Sequence, residues 1–232
     1  MPASIASLPA GSRLRYNAHI FPCLVLPHPV RSVSRTFSAL LAQFLAVAAL
    51  LAGVVFAPTV HAYSTGRVFT GPTTITVAFT PGEDAEGLII DSIAEARRQI
   101  VVQAFSFTHD GIARALIAAH RRGVEVKVIA DREQTKKMRR EQISAIAAAG
   151  IPVWLDGEHA SAHDKVMVID ADDAKTAAVI TGSYNFTKAA QYRNGENVMV
   201  LRGNAALAQT YRANWQRHLA HARPYKTATT NR

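Results

Sequence analysis

Ala162-His163-Asp164-Lys165-Val166-Met167-Val168-Ile169-Asp170-Ala171 is the stretch from which the rest of this chain can be read. Val166, Val168 and Asp170 alternate with His163, Lys165 and Met167, so residues 162–171 read as a strand. The two-residue period of a strand sets His163 and Lys165 side by side on one face. An imidazole beside an ammonium suits attack on a phosphate. The amine neutralises the anion while the ring attacks phosphorus or passes a proton. Asp170 has the opposite parity and stands at the strand's end, where it anchors the site rather than touching substrate. Downstream come Gly182-Ser183-Tyr184-Asn185-Phe186 and then Glu196, at the head of the apolar run Glu196-Asn197-Val198-Met199-Val200.

His163, Lys165 and Asp170 in the order H-x-K-x4-D, followed by Gly182, Ser183 and Asn185 as G-S-x-N, resemble the signature of the phospholipase D superfamily. Phe79-Thr80-Pro81-Gly82, Ala104-Phe105-Ser106-Phe107-Thr108, residues 182–190 (GSYNFTKAA) and residues 194–198 (NGENV) resemble its small, single-motif bacterial endonucleases. The likeness runs from about residue 73 to 218 and leaves out residues 1–62. It implies a catalytic set of His163, Lys165, Asp170 and Glu196. His163 would be the nucleophile, forming a phosphohistidine, and Glu196 the carboxylate that hydrogen-bonds its ring. Only a neutral imidazole attacks phosphorus, so a partner must fix its tautomer. Lys165 and Asn185 match the phosphate-binding pair, one by charge and the other by its amide donors. Ser183 matches the hydroxyl at the pocket floor, and Gly182 would let backbone pass close to the phosphate. The plain alternatives are a strand-end Glu196 in solvent and a turn serine at Ser183.

Residues 39–57 (ALLAQFLAVAALLAGVVFA) form an apolar run broken only by Gln43. Arg31 and Arg35 precede it, no acidic residue occurs before Glu83, and Val60-His61-Ala62 offers small residues for cleavage. This is the order of a secretory signal cleaved after Ala62, which implies a periplasmic or secreted protein. The rival reading is a membrane anchor, since the run is near bilayer-spanning length. Residues 1–30, with Pro22, Pro27 and Pro29, fit neither a signal nor a domain.

The 232-residue chain carries 26 basic and 17 acidic residues; four arginines and no acid lie in residues 1–62, leaving 22 basic against 17 acidic, a net of +5. Cys23, the only cysteine, also lies there, so the remainder holds no thiol. Such a domain can bury an adequate core without disulfides. The basic excess suits a polyanion or an anionic membrane surface.

From residue 63 to 222, strands and helices alternate. Strands are expected at 73–79, 100–107, 124–130, 151–154, 163–170, 177–181 and 198–201. Helices are expected at 85–98, from the cap Asp110 to about 122, at about 133–149 and at about 204–218. This order predicts an α/β sandwich, a mixed β-sheet flanked by helices, in one domain. The tail from Arg223 reads as disordered.

Other polar residues take plainer readings. His159 is a rim residue in a loop, His109 and His120 sit at helix termini, and Asp172-Asp173 is a turn. No His/Cys/Asp cluster shows metal-ligand spacing, so neither a metal nor another cofactor is expected. Arg132, Lys136, Lys137, Arg139 and Arg140 form either a solvated helix face or a track for a phosphate backbone.

The expected function is an exported phosphodiesterase, a metal-independent endonuclease acting on nucleic acid. The alternatives are a phospholipase D that converts phosphatidylcholine to phosphatidate and choline, and a non-catalytic nucleic-acid-binding module. The chain holds one H-x-K-x4-D copy where larger family members hold two. The resemblance therefore implies a homodimer with a composite active site, in which the partner copy's histidine acts as the general acid.

Overall fold

Eight strands form one mixed sheet in the order β1-β7-β6-β5-β2-β3-β4-β8. The computed structural model describes residues 66–138 and 140–226, within the unit Thr65–Arg232. The expected signal segment, residues 1–62, lies outside the described residues.

The strands are β1 (Thr74–Thr80), β2 (Gln99–Ala104), β3 (Glu125–Asp131), β4 (Val153–Asp156), β5 (Lys165–Ile169), β6 (Ala178–Gly182), β7 (Glu196–Arg202) and β8 (Arg223–Pro224). The helices are α1 (Ala85–Glu95), α2 (Asp110–Arg121), α3 (Arg132–Lys137), α4 (Ile143–Ala148), α5 (Lys188–Tyr192) and α6 (Ala205–Leu219). Strands β2, β3 and β4 run parallel, while β5 is antiparallel to β2 and β6, and β7 to β6 and β1. One edge of the sheet thus gathers the C-terminal ends of β1, β2, β3, β4 and β6 with the N-terminal ends of β5 and β7.

Strand parity divides the core in two. Val102, Val128, Met167, Ile169 and Ile180 pack with Ile89, Ile112, Leu116 and Ile146 from α1, α2 and α4. Val101, Ile129, Val166, Val168 and Val179 face the other way, onto Trp215 of α6. Burial on both faces makes these strands near-continuous apolar runs. The sandwich expected from the strand–helix order is the fold observed.

Three local expectations need correction. The single helix over 133–149 is two helices, parted at Met138, whose backbone is extended. Ile143 and Ile146 of α4 are buried whereas α3 buries nothing, and Gln142 N donates to Phe107 O at 2.9 Å. Tertiary bonding of the second half overrides the continuous helical pattern. The cap of α2 is His109, which accepts from Ile112 N, and Asp110 is already helical. The tail is ordered at its start: Arg223 and Pro224 pair with Leu155 and Trp154, and Tyr225 N donates to Val153 O at 2.9 Å. Two paired residues satisfy the edge of β4 but are too few to leave a periodic trace in sequence.

Candidate active site

His163 stands at the gathered sheet edge, just ahead of β5, and is exposed, while Lys165 opens the strand and is buried. The loop 157–164 brings them there. It must pass from β4 across the ends of β3 and β2, and it is tied down on the way. Asp131 at the end of β3 accepts from Ala162 N at 2.9 Å with one oxygen and caps α3 through Gln134 N at 2.7 Å with the other. At the end of β2, Phe105 N donates to Asp164 O at 2.8 Å and Gln103 Nε2 to Asp164 Oδ2 at 3.2 Å.

Lys165 Nζ donates to His163 O at 2.8 Å and lies 3.0 Å from Nδ1 and 3.2 Å from Nε2 of the same ring. Phe105 floors the pair. Its ring centroid is 4.4 Å from that of His163 and 4.9 Å from Nζ, within cation–π range. Burial holds the Lys165 ammonium below the ordinary lysine value, and the charges of Asp164 and Glu196 oppose that shift. An ammonium short of solvent gains strongly from an arriving anion. The shared face expected for His163 and Lys165 is consistent with the core: Met167 and Ile169, of the same parity, lie in one cluster and Val166 and Val168 in the other.

Across β6 and β7 a second group assembles. Ser183 Oγ donates to Glu196 Oε2 at 2.6 Å, and Asn194 Nδ2 donates to Glu196 Oε1 at 2.9 Å. Both carboxylate oxygens are thus engaged by residues other than His163, whose ring the resemblance paired with Glu196. Asn197 N donates to Ser183 Oγ at 3.1 Å. Asn185 Oδ1 is buried with no hydrogen-bond partner among the described residues; as an acceptor it cannot meet a phosphate oxygen, a task that falls to the Nδ2 donors. Gly182, at φ 149°, is needed for a different reason than expected: a Cβ there would overlap the Asn197 carbonyl oxygen of β7. Its role is close strand approach, which sets Ser183 against Glu196.

Asp170 does not join this group. It closes the far end of β5, on the order of 20 Å from His163 at a strand's rise per residue. There it accepts from Arg97 N at 2.9 Å, Arg98 N at 2.7 Å and Gln99 N at 2.9 Å. Asp170 thus anchors the α1–β2 turn, and through it the register of β5 against β2. Asp172-Asp173 is the expected turn, with Asp173 N donating to Asp170 O at 2.9 Å.

The sequence offered no metal-ligand cluster, and the structure overturns that. Asp156, His159, His218 and His221 each offer a ligand atom, all within 4.8 Å of one another. Their signal was two i,i+3 pairs, D-x-x-H and H-x-x-H, far apart in sequence; only the fold joins β4 to the end of α6. His159 is part of this cluster rather than a solitary rim residue.

The domain that carries these residues matches known proteins. Residues 89–219 match the family described as cardiolipin synthase, PLD-like domain. The chain belongs to the phospholipase D superfamily. As a phospholipase D-like phosphodiesterase fold it is similar to Nuc from Salmonella typhimurium, a phospholipase D family member. That structure aligns with a TM-score of 0.61 at 35% identity, covering 67% of this chain and 99% of that one. A phospholipase D of Rickettsia bellii is 39% identical over 141 residues, 61% of this chain and 67% of that protein. A mitochondrial cardiolipin hydrolase of Chlamydomonas reinhardtii is 32% identical over 112 residues, 48% of each chain. The chain therefore spans about two thirds of the first relative and about half of the second.

Proposed function

We propose that this superfamily phosphodiesterase is a nuclease that cleaves phosphodiester bonds of nucleic acid through a phosphohistidine at His163. A ring nitrogen of His163 attacks phosphorus, an N–P bond forms and the bond to the leaving oxygen breaks. Water then attacks the same phosphorus, the N–P bond breaks, and a phosphomonoester leaves. Lys165 and Asn185 hold the non-bridging oxygens. In the free site the Lys165 ammonium sits against the His163 ring; an incoming phosphate competes for that ammonium and releases the nitrogen lone pair. Glu196 sustains the charge of Lys165 from nearby.

The observation that carries nucleic acid over lipid is a basic and aromatic depression on the same face of the molecule. Arg140, Lys188 and Arg193 line it together with Tyr192, which is 64% exposed, although Lys188 Nζ also meets Asp110 at 2.6 Å and the Tyr192 hydroxyl donates to Glu86 at 3.1 Å. Cations that track a backbone beside an aromatic ring on which a base stacks are the means by which single strands are held. Exposed Arg132, Lys136 and Lys137 extend the positive rim at the end of β3, although Arg132 and Lys136 both also meet Glu133. The names of the Rickettsia and Chlamydomonas relatives favour a phospholipid instead, so lipid is the second reading.

The leaving oxygen needs a proton, and the reading places its source in a twofold dimer, on the His163 of a second copy. Ile75, Val77 and Phe79 support this: they line one face of the edge strand β1, with Phe79 59% exposed, and that stripe ends at the site's edge. An apolar stripe of this kind is covered in an assembly more readily than left in water. Export through residues 39–62 belongs to the same reading, supported by the apolar run and the small residues after it.

Purified protein incubated in parallel with plasmid DNA, RNA and phosphatidylcholine vesicles, with EDTA present and below the melting temperature, tests the proposal. Cleavage of nucleic acid in chelator with intact vesicles is expected. Release of choline with untouched DNA and RNA would replace the nuclease reading by the lipid one. Activity lost in EDTA from protein still folded, and restored by Mg²⁺ in excess of the chelator but not by Zn²⁺, would remove the metal-free mechanism.

A further inference from the structure

At the end of β4, three imidazoles crowd one carboxylate oxygen. Asp156 Oδ2 lies 3.1 Å from His159 Nδ1, 2.9 Å from His218 Nδ1 and 3.2 Å from His221 Nε2. The other oxygen, Oδ1, accepts from Glu158 N at 3.1 Å, which turns Oδ2 toward the rings. The Asp156 side chain is 0% exposed, and the three ring centroids stand 4.9 to 5.4 Å apart. We propose that Asp156, His159, His218 and His221 bind one divalent transition-metal ion, Zn²⁺ foremost, which braces the end of α6 to the loop that carries His163.

Hydrogen bonds alone account poorly for the arrangement. His159 Nδ1 is also 3.3 Å from Oδ1, so with Glu158 N four donors would have to fill all of the about four lone-pair sites of one carboxylate. Each ring would also have to hold its proton on the one nitrogen that faces Asp156. A cation among the four groups removes both difficulties, because every ring then presents a lone pair and the carboxylate its charge. The spacing fits as well. Bonds of about 2.0–2.1 Å in a tetrahedron put ligand atoms about 3.3 Å apart. The three nitrogen–oxygen separations of 2.9, 3.1 and 3.2 Å fall only a few tenths short, and the four ligand atoms lie within 4.8 Å of one another, so the rings must draw together slightly around an ion.

Three imidazoles with one carboxylate form a nitrogen-and-oxygen set of borderline softness, which suits zinc better than calcium or magnesium. The four protein ligands close the shell and leave no position for a reactive water, so the ion is structural. Its place in the fold gives it an effect on the active site. His159 stands four residues before His163 in the same loop, whose later part Asp131 already holds through Ala162 N. The metal would fix the loop's beginning to β4 and to α6, beside the Trp154–Trp215 contact, with ring centroids 6.3 Å apart. His159, with its side chain 46% exposed, leaves a way in for the ion.

The full chain, made without a histidine tag and purified without chelator, should contain one zinc per chain by mass spectrometry of the metals. After stripping with EDTA, Co²⁺ should titrate to one equivalent with the visible absorption of tetrahedral cobalt, and Zn²⁺ should bleach it. Zinc added back should raise the melting temperature. In the double variant H218A/H221A, cobalt should give no tetrahedral spectrum, and melting should be the same with and without zinc. If that variant does not fold, His159→Ala in the exposed loop takes its place, with a tetrahedral spectrum lost or shifted to far weaker binding. Stripped wild-type protein that neither binds cobalt saturably nor melts higher with zinc overturns the site. So does cobalt binding that these substitutions leave intact.

Discussion

The Ser183 hydroxyl donates to Glu196 Oε2 across 2.6 Å, while Asn194 Nδ2 holds the other oxygen of that carboxylate at 2.9 Å. Glu196 is therefore fixed as a charge beside Lys165, not as a hydrogen-bond partner of His163. That geometry gives it a measurable consequence. The negative charge of Glu196 opposes the effect of burial on the Lys165 ammonium.

Glu196→Gln keeps the shape and removes the charge. It is expected to lower kcat/KM by about 10²-fold, the lower range for loss of one preorganised electrostatic group. The basic limb of the pH profile should also move to lower pH, because only Asp164 then opposes the burial of Lys165. Ser183→Ala removes one hydrogen bond to a carboxylate that Asn194 still holds, and should cost about tenfold with the limb in place. A Glu196→Gln enzyme whose limb has not moved would detach Glu196 from Lys165.

The pH profile of the native enzyme carries its own expectation. Lys165 binds phosphate only when protonated, and burial lowers its pKa below 10.5. Activity per free enzyme, kcat/KM, should fall as pH rises through that lowered value. A bound phosphodiester restores the proton's affinity, so the limb in kcat should lie at higher pH than the limb in kcat/KM. The nearby Tyr184 and Tyr192 hydroxyls are both held above the ordinary tyrosine value, by burial and by Glu86 respectively, and titrate later. Steady-state kinetics over pH 7 to 11 decide the matter, and coincident limbs would contradict this role for Lys165.

Asp170→Ala leaves three backbone N–H groups of the α1–β2 turn without their acceptor. Loss of charged hydrogen bonds to these part-buried donors should cost about 2 kcal/mol of stability, read as a lower urea midpoint. The folded fraction should keep its turnover within a few-fold, since Asp170 lies at the opposite end of β5. A large fall in kcat in fully folded Asp170→Ala protein would return this residue to the catalytic set.

His163→Asn should abolish turnover by several orders of magnitude, because the covalent route is gone. In the composite-site dimer it should also act across the interface. Mixed in equal amounts with wild type and fully exchanged, the chains give about one quarter wild-type pairs, one half hybrids and one quarter dead pairs. Activity per wild-type chain should then drop to about half. An unchanged value after verified exchange, or a fully active monomer by light scattering, would remove the partner's histidine from the reaction.

Much of this molecule follows from local pattern. The alternation through 162–171 and the apolar runs around it determine the strands, because a two-residue period has one reading on a pleated backbone. H-x-K and G-S-x-N each compress into a few residues, so His163, Lys165, Ser183 and Asn185 could be picked out without coordinates. The family, the sandwich and the helix order were legible in the same way. Tertiary structure alone decided what lies between those segments. The break at Met138 depends on Gln142 reaching the backbone of Phe107, a bond to a residue remote in sequence. Gly182 is explained by Asn197 on the next strand, and Asp170 by a turn far back along the chain. Asp156 and His159 meet His218 and His221 because α6 ends above β4, a coincidence in space that no spacing along the chain encodes. Periodicity is a property of one segment, whereas a shared acceptor or a close backbone approach is a property of two, and two segments find each other only when the chain folds.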